Sequence, residues 1–222
     1  MAKIYLIITL IFLTACSSVN RVTDYEIDAY YRQGYYPPVI EALEERVESS
    51  SDTDKIMHQL NLALAYQGNG QYGESNKILM AVKAELNWDK VFKLKESALA
   101  FAINENYKKY QLAEYEQLMI QFYIAANYAF SGNVQSALVE MRSLDLAFYH
   151  LRQINPHFSF LGKTHLSYFS AMVYEANFKF DEAYIDYERV YQANPKSPYL
   201  GFDLYRTAIW SGRNTVAEKY AT

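Results

Sequence analysis

The side chains in this chain that could do chemistry are few and poorly spaced for it. Its four histidines, His58, His150, His157 and His165, include no pair at the i, i+4 spacing that lets one helix face offer two imidazoles to a metal. His157 and His165 straddle a loop-to-helix boundary, so the expected role of all four is polar surface or helix end. The 25 acidic residues recur at helical spacing and form solvated faces, with none singled out as a general acid and base pair. No glycine-rich phosphate loop, nucleophile elbow or HExxH sequence occurs. The expectation is no enzyme, no catalytic residue, no cofactor and no metal. One nucleophile stands apart. Cys16 is the only cysteine, which removes an intramolecular disulfide and a cysteine metal cluster. Its thiolate would still be a far better nucleophile than a serine hydroxyl at neutral pH.

The residues before it say what that thiol is for. In MAKIYLIITLIFLTAC a single charge, Lys3, precedes an apolar run from Ile4 to Leu13. The run is short for a membrane span and has the shape of a secretory signal. Leu13-Thr14-Ala15-Cys16 resembles a bacterial lipobox. The resemblance implies cleavage before Cys16, a diacylglyceryl thioether on its sulfur and a fatty acyl group, such as palmitate, on its freed amine. Residues 1–15 would be a lipoprotein signal peptide and 16–24 a lipidated tether. Two or more acyl chains hold a protein on a membrane stably, where one does so marginally. Ser17 and Ser18 follow, with no aspartate at the second mature position. In enteric-type sorting that resembles an outer-membrane address with the domain facing the periplasm, the inner membrane and the cell surface being the alternatives.

Composition describes what is anchored. Of 222 residues 51% are hydrophobic and 16% aromatic, with 22 tyrosines but only 8 glycines and 5 prolines. This balance builds packed helices and excludes disorder. The net charge of −4 is spread without a basic stripe, so nucleic acid is not an expected partner. The stretch Thr164–Ser197 shows the building unit. Two amphipathic helices are expected, Thr164–Asn177 and Asp181–Ala193. Ala171 and Ala183 are small where the helices cross, Tyr174 and Tyr187 fill the space one turn away, and Asn194-Pro195 stops the second helix. Ser170, Ala171, Tyr174, Phe180, Ala183, Tyr187, Val190 and Pro195 place this stretch in resemblance to the tetratricopeptide repeat (TPR), a helix pair of about 34 residues.

Further copies are irregular. Residues 56–89 carry Leu62, Ala63, Tyr66, Gly70 and Tyr72, with Ser75 where alanine is commoner. Residues 118–151 carry Ile124, Ala125, Tyr128, Gly132, Ala137, Met141 and Leu144. A partial copy, 198–222, matches at Leu204, Gly212 and Ala217 but has Tyr205 where a small residue belongs. A weaker copy, 25–53, turns at Gly34, whose lack of a side chain suits positive φ. The fold expected over 25–222 is all-α, a TPR-like helical-hairpin solenoid with an inserted helix around 91–105 and an aromatic loop from Pro156 to Lys163. Glu114 to Arg142 also resembles a set of bacterial TPR-type envelope lipoproteins, through Asn127-Tyr128, Gly132 and Ala137-Leu138-Val139-Glu140.

What the resemblance implies is a scaffold for binding other proteins. Counting the repeat positions that line a TPR groove gives Met57, Leu60, Leu64, Met119, Phe122, Phe130, Tyr168, Met172, Phe202, Arg206 and Trp210. These are mostly apolar, with methionines that adapt their shape, so the expectation is a groove for a helix or an extended segment. Burial of the same residues as core is the alternative. The lysine and asparagine clamp with which chaperone-binding TPRs hold a terminal carboxylate is missing. The expected function is a membrane-anchored scaffold in a bacterial envelope complex, with other envelope proteins as partners and self-association possible at the C-terminal end. The alternatives are an accessory subunit of outer-membrane barrel insertion or pilus assembly, and a cell-wall enzyme or its regulator. A polar cleft with convergent carboxylates would favour the enzyme, and an uncharged aromatic groove the scaffold.

Overall fold

Apolar residues every three or four positions make helix of almost every stretch described by the structure, a computed structural model covering residues 22–86, 113–154, 163–195, 197 and 199–221. Cys16, the helix expected at 91–105 and nearly all of the Pro156–Lys163 loop lie outside the described residues. The described helices are α1 (Asp24–Arg32), α2 (Pro37–Ser49), α3 (Asp52–Gly68), α4 (Tyr72–Glu85), α5 (Glu114–Phe130), α6 (Val134–Ile154), α7 (Lys163–Ala176), α8 (Phe180–Ala193), α9 (Leu200–Trp210) and α10 (Asn214–Ala217), followed by a 3-10 turn, Glu218–Tyr220. Each packs on its neighbours in sequence, so antiparallel pairs stack one after another. Among the described residues no helix is long and apolar enough to cross a membrane.

Local chemistry sets the helix ends. A reciprocal capping box starts α1, where the Glu26 N–H donates to Thr23 Oγ1 at 3.3 Å and the Thr23 N–H donates to Glu26 Oε2 at 2.8 Å. Pro37 and Pro38 open α2, where their missing N–H groups cost nothing. The five hairpin turns share one hydrogen-bond pattern. At Gly34, Gly70, Gly132, Phe178 and Gly212 the N–H donates to the carbonyl three residues back, and the next N–H reaches the carbonyl five residues before it. That closure needs positive φ. The glycines adopt φ between 70° and 82°, and Phe178 does so at 57°. A left-handed backbone costs a side-chain-bearing residue about 1–2 kcal/mol.

Small residues let the helices approach, as the repeat pattern requires. Ala171 and Ala183 have no exposed surface, and Tyr187 is the largest fully buried side chain. Three apolar clusters run along the stack. Val39, Ile40 and Leu43 meet Leu62 and Ala65; Ile56, Ala63, Leu79 and Val82 meet Ile120 and Ile124; the largest extends from Leu118 to Tyr220. Helices α3 and α5 each contribute to two of them. At the first seam the Tyr36 ring lies directly over Gly68, where an added Cβ would sit 2.3 Å from it.

Polar side chains fasten the hairpins together. Asn127, fully buried, donates to Ser75 Oγ at 2.8 Å and to Asn76 Oδ1 at 2.9 Å, and accepts from Gln67 Nε2 at 2.7 Å. The serine standing where the repeat prefers alanine is thus a partner for Asn127. A second fastening is Glu140, which accepts from Gln121 Nε2 and lies 3.4 Å from Lys83 Nζ. Tyr205, the bulky residue at a small-residue position, points outward while Leu204, Thr207 and Ala208 are buried. Helix α10 has only four residues, and among the described residues Tyr205 keeps 38% of its surface exposed. Tyr220 folds back, its ring 5.5 Å from that of Tyr191 and its hydroxyl 3.0 Å from Glu188 Oε2.

Candidate functional site

Between α7 and α9 the last two hairpins leave a cleft of about 610 Å³ with a polar floor and an aromatic rim. Asp203 and Arg206 lie three residues apart on one face of α9, close enough to pair, and Glu175 faces them from α7. Arg206 donates from Nε to Glu175 Oε1 at 2.5 Å, and from one Nη to Glu175 Oε2 at 2.8 Å and Asp203 Oδ1 at 2.9 Å. The Tyr187 hydroxyl donates to Glu175 Oε2 at 3.0 Å, and the Tyr168 hydroxyl to Asp203 Oδ2 at 2.7 Å. Burial, reinforced by the bond to Asp203, pushes the Tyr168 hydroxyl up to about 12. Burial and the Glu175 charge raise that of Tyr187 as well. The hydrogen bond to Glu175 holds the Arg206 guanidinium still more firmly protonated. Both tyrosines therefore remain donors at neutral pH, and the network is held together by charge-assisted hydrogen bonds.

The carboxylates do converge here, contrary to the uncharged groove expected of a scaffold. Yet each of their four oxygens already accepts a hydrogen bond from Arg206 or a tyrosine. That makes a rigid, charge-assisted support beneath the rim. Among the described residues no group of three or more histidine, cysteine or acidic side chains could hold a metal ion.

Above this floor stand rings and a methionine. Phe178, Phe180 and Trp210 make an edge-to-face run, with centroids 6.2 Å and 4.7 Å apart. Met172 is 47% exposed and Trp210 54%. Four residues expected in a groove, Tyr168, Met172, Arg206 and Trp210, line this one cleft. Phe202 joins it through Arg206, whose guanidinium lies 5.0 Å from its ring centroid. Phe122 and Phe130 belong to a neighbouring patch. Phe169 bridges them, at 5.2 Å and 6.3 Å, and Tyr72 adds a ring 5.7 Å from Phe130. Leu60 is half-buried against the Ile56–Leu79 cluster, Leu64 and Met119 are half-buried, and Met57 is exposed. The expected set thus divides into a C-terminal cleft, a central aromatic patch and a partly buried N-terminal row. Cys16 lies outside the described residues. A second cleft, of about 670 Å³ beside α6 and α7, is lined by charges of both signs, among them Asp145, Arg152, Lys163 and Arg189.

Comparison with solved structures agrees with the geometry. The crystal structure of nearly identical TPR-like repeats from Podosopora anserina matches with a TM-score of 0.58 and 20% identity, over 87% of each chain. A tetratricopeptide repeat protein from Parabacteroides merdae gives a TM-score of 0.56 at 13% identity, over 88% of this chain and 61% of that one. The fold is a TPR-like solenoid. BtubC (BKLC) from P. vanneervenii is similar too, with a TM-score of 0.60 and 13% identity over 88% of this chain and 74% of that one. At such identities the likeness is one of fold. No protein-family model matches the sequence, and no curated protein does.

Two groove positions in this solenoid are expected to answer differently to the same change. Phe122 packs half-buried against the largest core cluster, so Phe122→Ser should cost about 2 kcal/mol, half the loss of a fully buried ring. Met172→Ser, at an exposed position, should stay within about 0.5 kcal/mol of the parent. Thermal melts of the two variants check this, and equal losses would place Met172 in the core.

Proposed function

We propose that this chain is a scaffold of the bacterial envelope, anchored by lipid on Cys16 at the outer membrane and facing the periplasm, and that it holds protein partners along the first helices of its hairpins. The observation that carries the binding reading is the cleft between α7 and α9. Exposed Met172, Phe202 and Trp210 stand on a floor fixed by five hydrogen bonds. Exposed aromatic and methionine side chains on a rigid support are the composition of protein-binding surfaces. The repeat stack adds rigidity, since each hairpin is positioned by its neighbours. The anchoring reading rests on Lys3, the apolar run and Leu13-Thr14-Ala15-Cys16.

Each half of the reading has its own test. Cys16→Ser is expected to accumulate in cells as an unprocessed precursor that takes up no labelled fatty acid; a mature, soluble product from this variant would sink the anchor. A photo-crosslinking residue in place of Met172 is expected to give discrete protein adducts in intact cells. The same residue in place of Val139, exposed on α6, should give few. Equal labelling from both positions would remove the cleft from partner binding.

A further inference from the structure

Phe178 is in the wrong conformation for its type and exposes the ring that this conformation holds. The other four hairpin turns close with the same hydrogen bonds around a glycine. Space does not separate these positions, because a Cβ built on Gly34, Gly70, Gly132 or Gly212 meets nothing within 4 Å. The difference is the side chain alone, and it is 80% exposed. Its ring contact is Phe180, at 6.2 Å. A glycine would close the turn with less strain and little lost packing, so the fold itself gives no reason for the ring. Strained residues of this kind gather where a surface is used.

The surroundings say what the ring would meet. Among the charged residues lining the cleft, Glu175 and Asp203 outnumber Arg206. The faces of Phe178, Phe180 and Trp210 carry the negative side of their quadrupoles, which attracts cations. A carboxylate entering here would meet two others already placed, whereas an ammonium or guanidinium would find surplus negative charge and ring faces. We propose that the cleft between α7 and α9 takes a protein segment whose apolar face carries a lysine or arginine, and that Phe178 is its anchor. This rests on the scaffold reading given above and specifies the partner of the same site.

The test is selection of displayed random twelve-residue peptides on the full chain, followed by affinity measurement of individual winners. Peptides joining leucine or an aromatic residue to lysine or arginine are expected. Replacing that lysine by glutamate in the peptide should weaken binding by about tenfold or more, as should Phe178→Gly in the protein. Phe178→Gly should also melt higher, by roughly 2–4 °C, while Phe178→Ala should lose binding without that gain because its backbone stays strained. Winners that are acidic, or that bind Phe178→Gly as tightly as the parent, overturn this assignment and leave the scaffold reading standing. A Phe178→Gly protein that melts lower also overturns it, since the ring would then serve packing. Self-association abolished by Phe178→Gly would make a second copy the occupant and reject the basic segment. Selection that yields no peptide at all overturns both readings.

Discussion

Replacing Asn127 by aspartate is expected to lower the melting temperature by roughly 6–12 °C at pH 7, for a loss of about 3 kcal/mol. Asn127 has no exposed surface, and its amide nitrogen donates to Ser75 Oγ and Asn76 Oδ1. An aspartate keeps the shape but turns that donor into an acceptor opposite the Asn76 oxygen, and it places a charge out of reach of water. Burial raises such a carboxyl above its unfolded value. The folded state then binds more protons than the unfolded one, so stability is lost as pH rises and regained as it falls. Melts at pH 5 and pH 7 should therefore differ more for Asn127→Asp than for the parent. Asn127→Ala, which leaves the same partners unsatisfied without a charge, should lose stability equally at both. A pH-independent loss in the aspartate variant would mean that the site opens to solvent.

The second large effect is expected at Arg206. Arg206→Met keeps most of the side-chain stem but leaves Glu175 and Asp203 facing each other across the cleft floor. Removing one partner of a buried charge cluster costs about 3–5 kcal/mol. These side chains are 25%, 16% and 12% exposed, so screening reduces the expected loss to about 2–3 kcal/mol, or roughly 5–10 °C. Partner capture through the Met172 position should fall as well, because the rim would have lost its fixed support. A variant that melts like the parent at pH 7 would show that the network contributes no net stability.

Much of the framework could be read from residue types. The small residues at 171 and 183, the tyrosines at 174 and 187, and Asn194 before Pro195 placed two helices within a residue or so of α7 and α8. Gly34 was expected at positive φ and has it, because only glycine adopts that backbone freely. The same rule hid Phe178. Propensity assigns positive φ to glycine, so a phenylalanine in that place gives no signal unless the five turns are laid side by side. The TPR resemblance marked Arg206 as a groove position but could not supply Glu175, 31 residues away on another helix. Asn127-Tyr128 stood out only as part of a resemblance. The role of Asn127 depends on Gln67, Ser75 and Asn76, which come from another hairpin.

The three apolar clusters have a mechanical consequence. Helices α3 and α5 act as party walls, each with one cluster on either side, and Ile78 and Tyr128 touch both clusters that they border. A load on the N-terminus, where a membrane anchor would pull, falls first on the small cluster around Val39 and Leu43. Helices α1 and α2 can peel away while the wall at α3 keeps its second cluster. The cleft lies in the cluster farthest from the load. A pull at that end would unravel the solenoid one compartment at a time, and the cleft would be the last part to go.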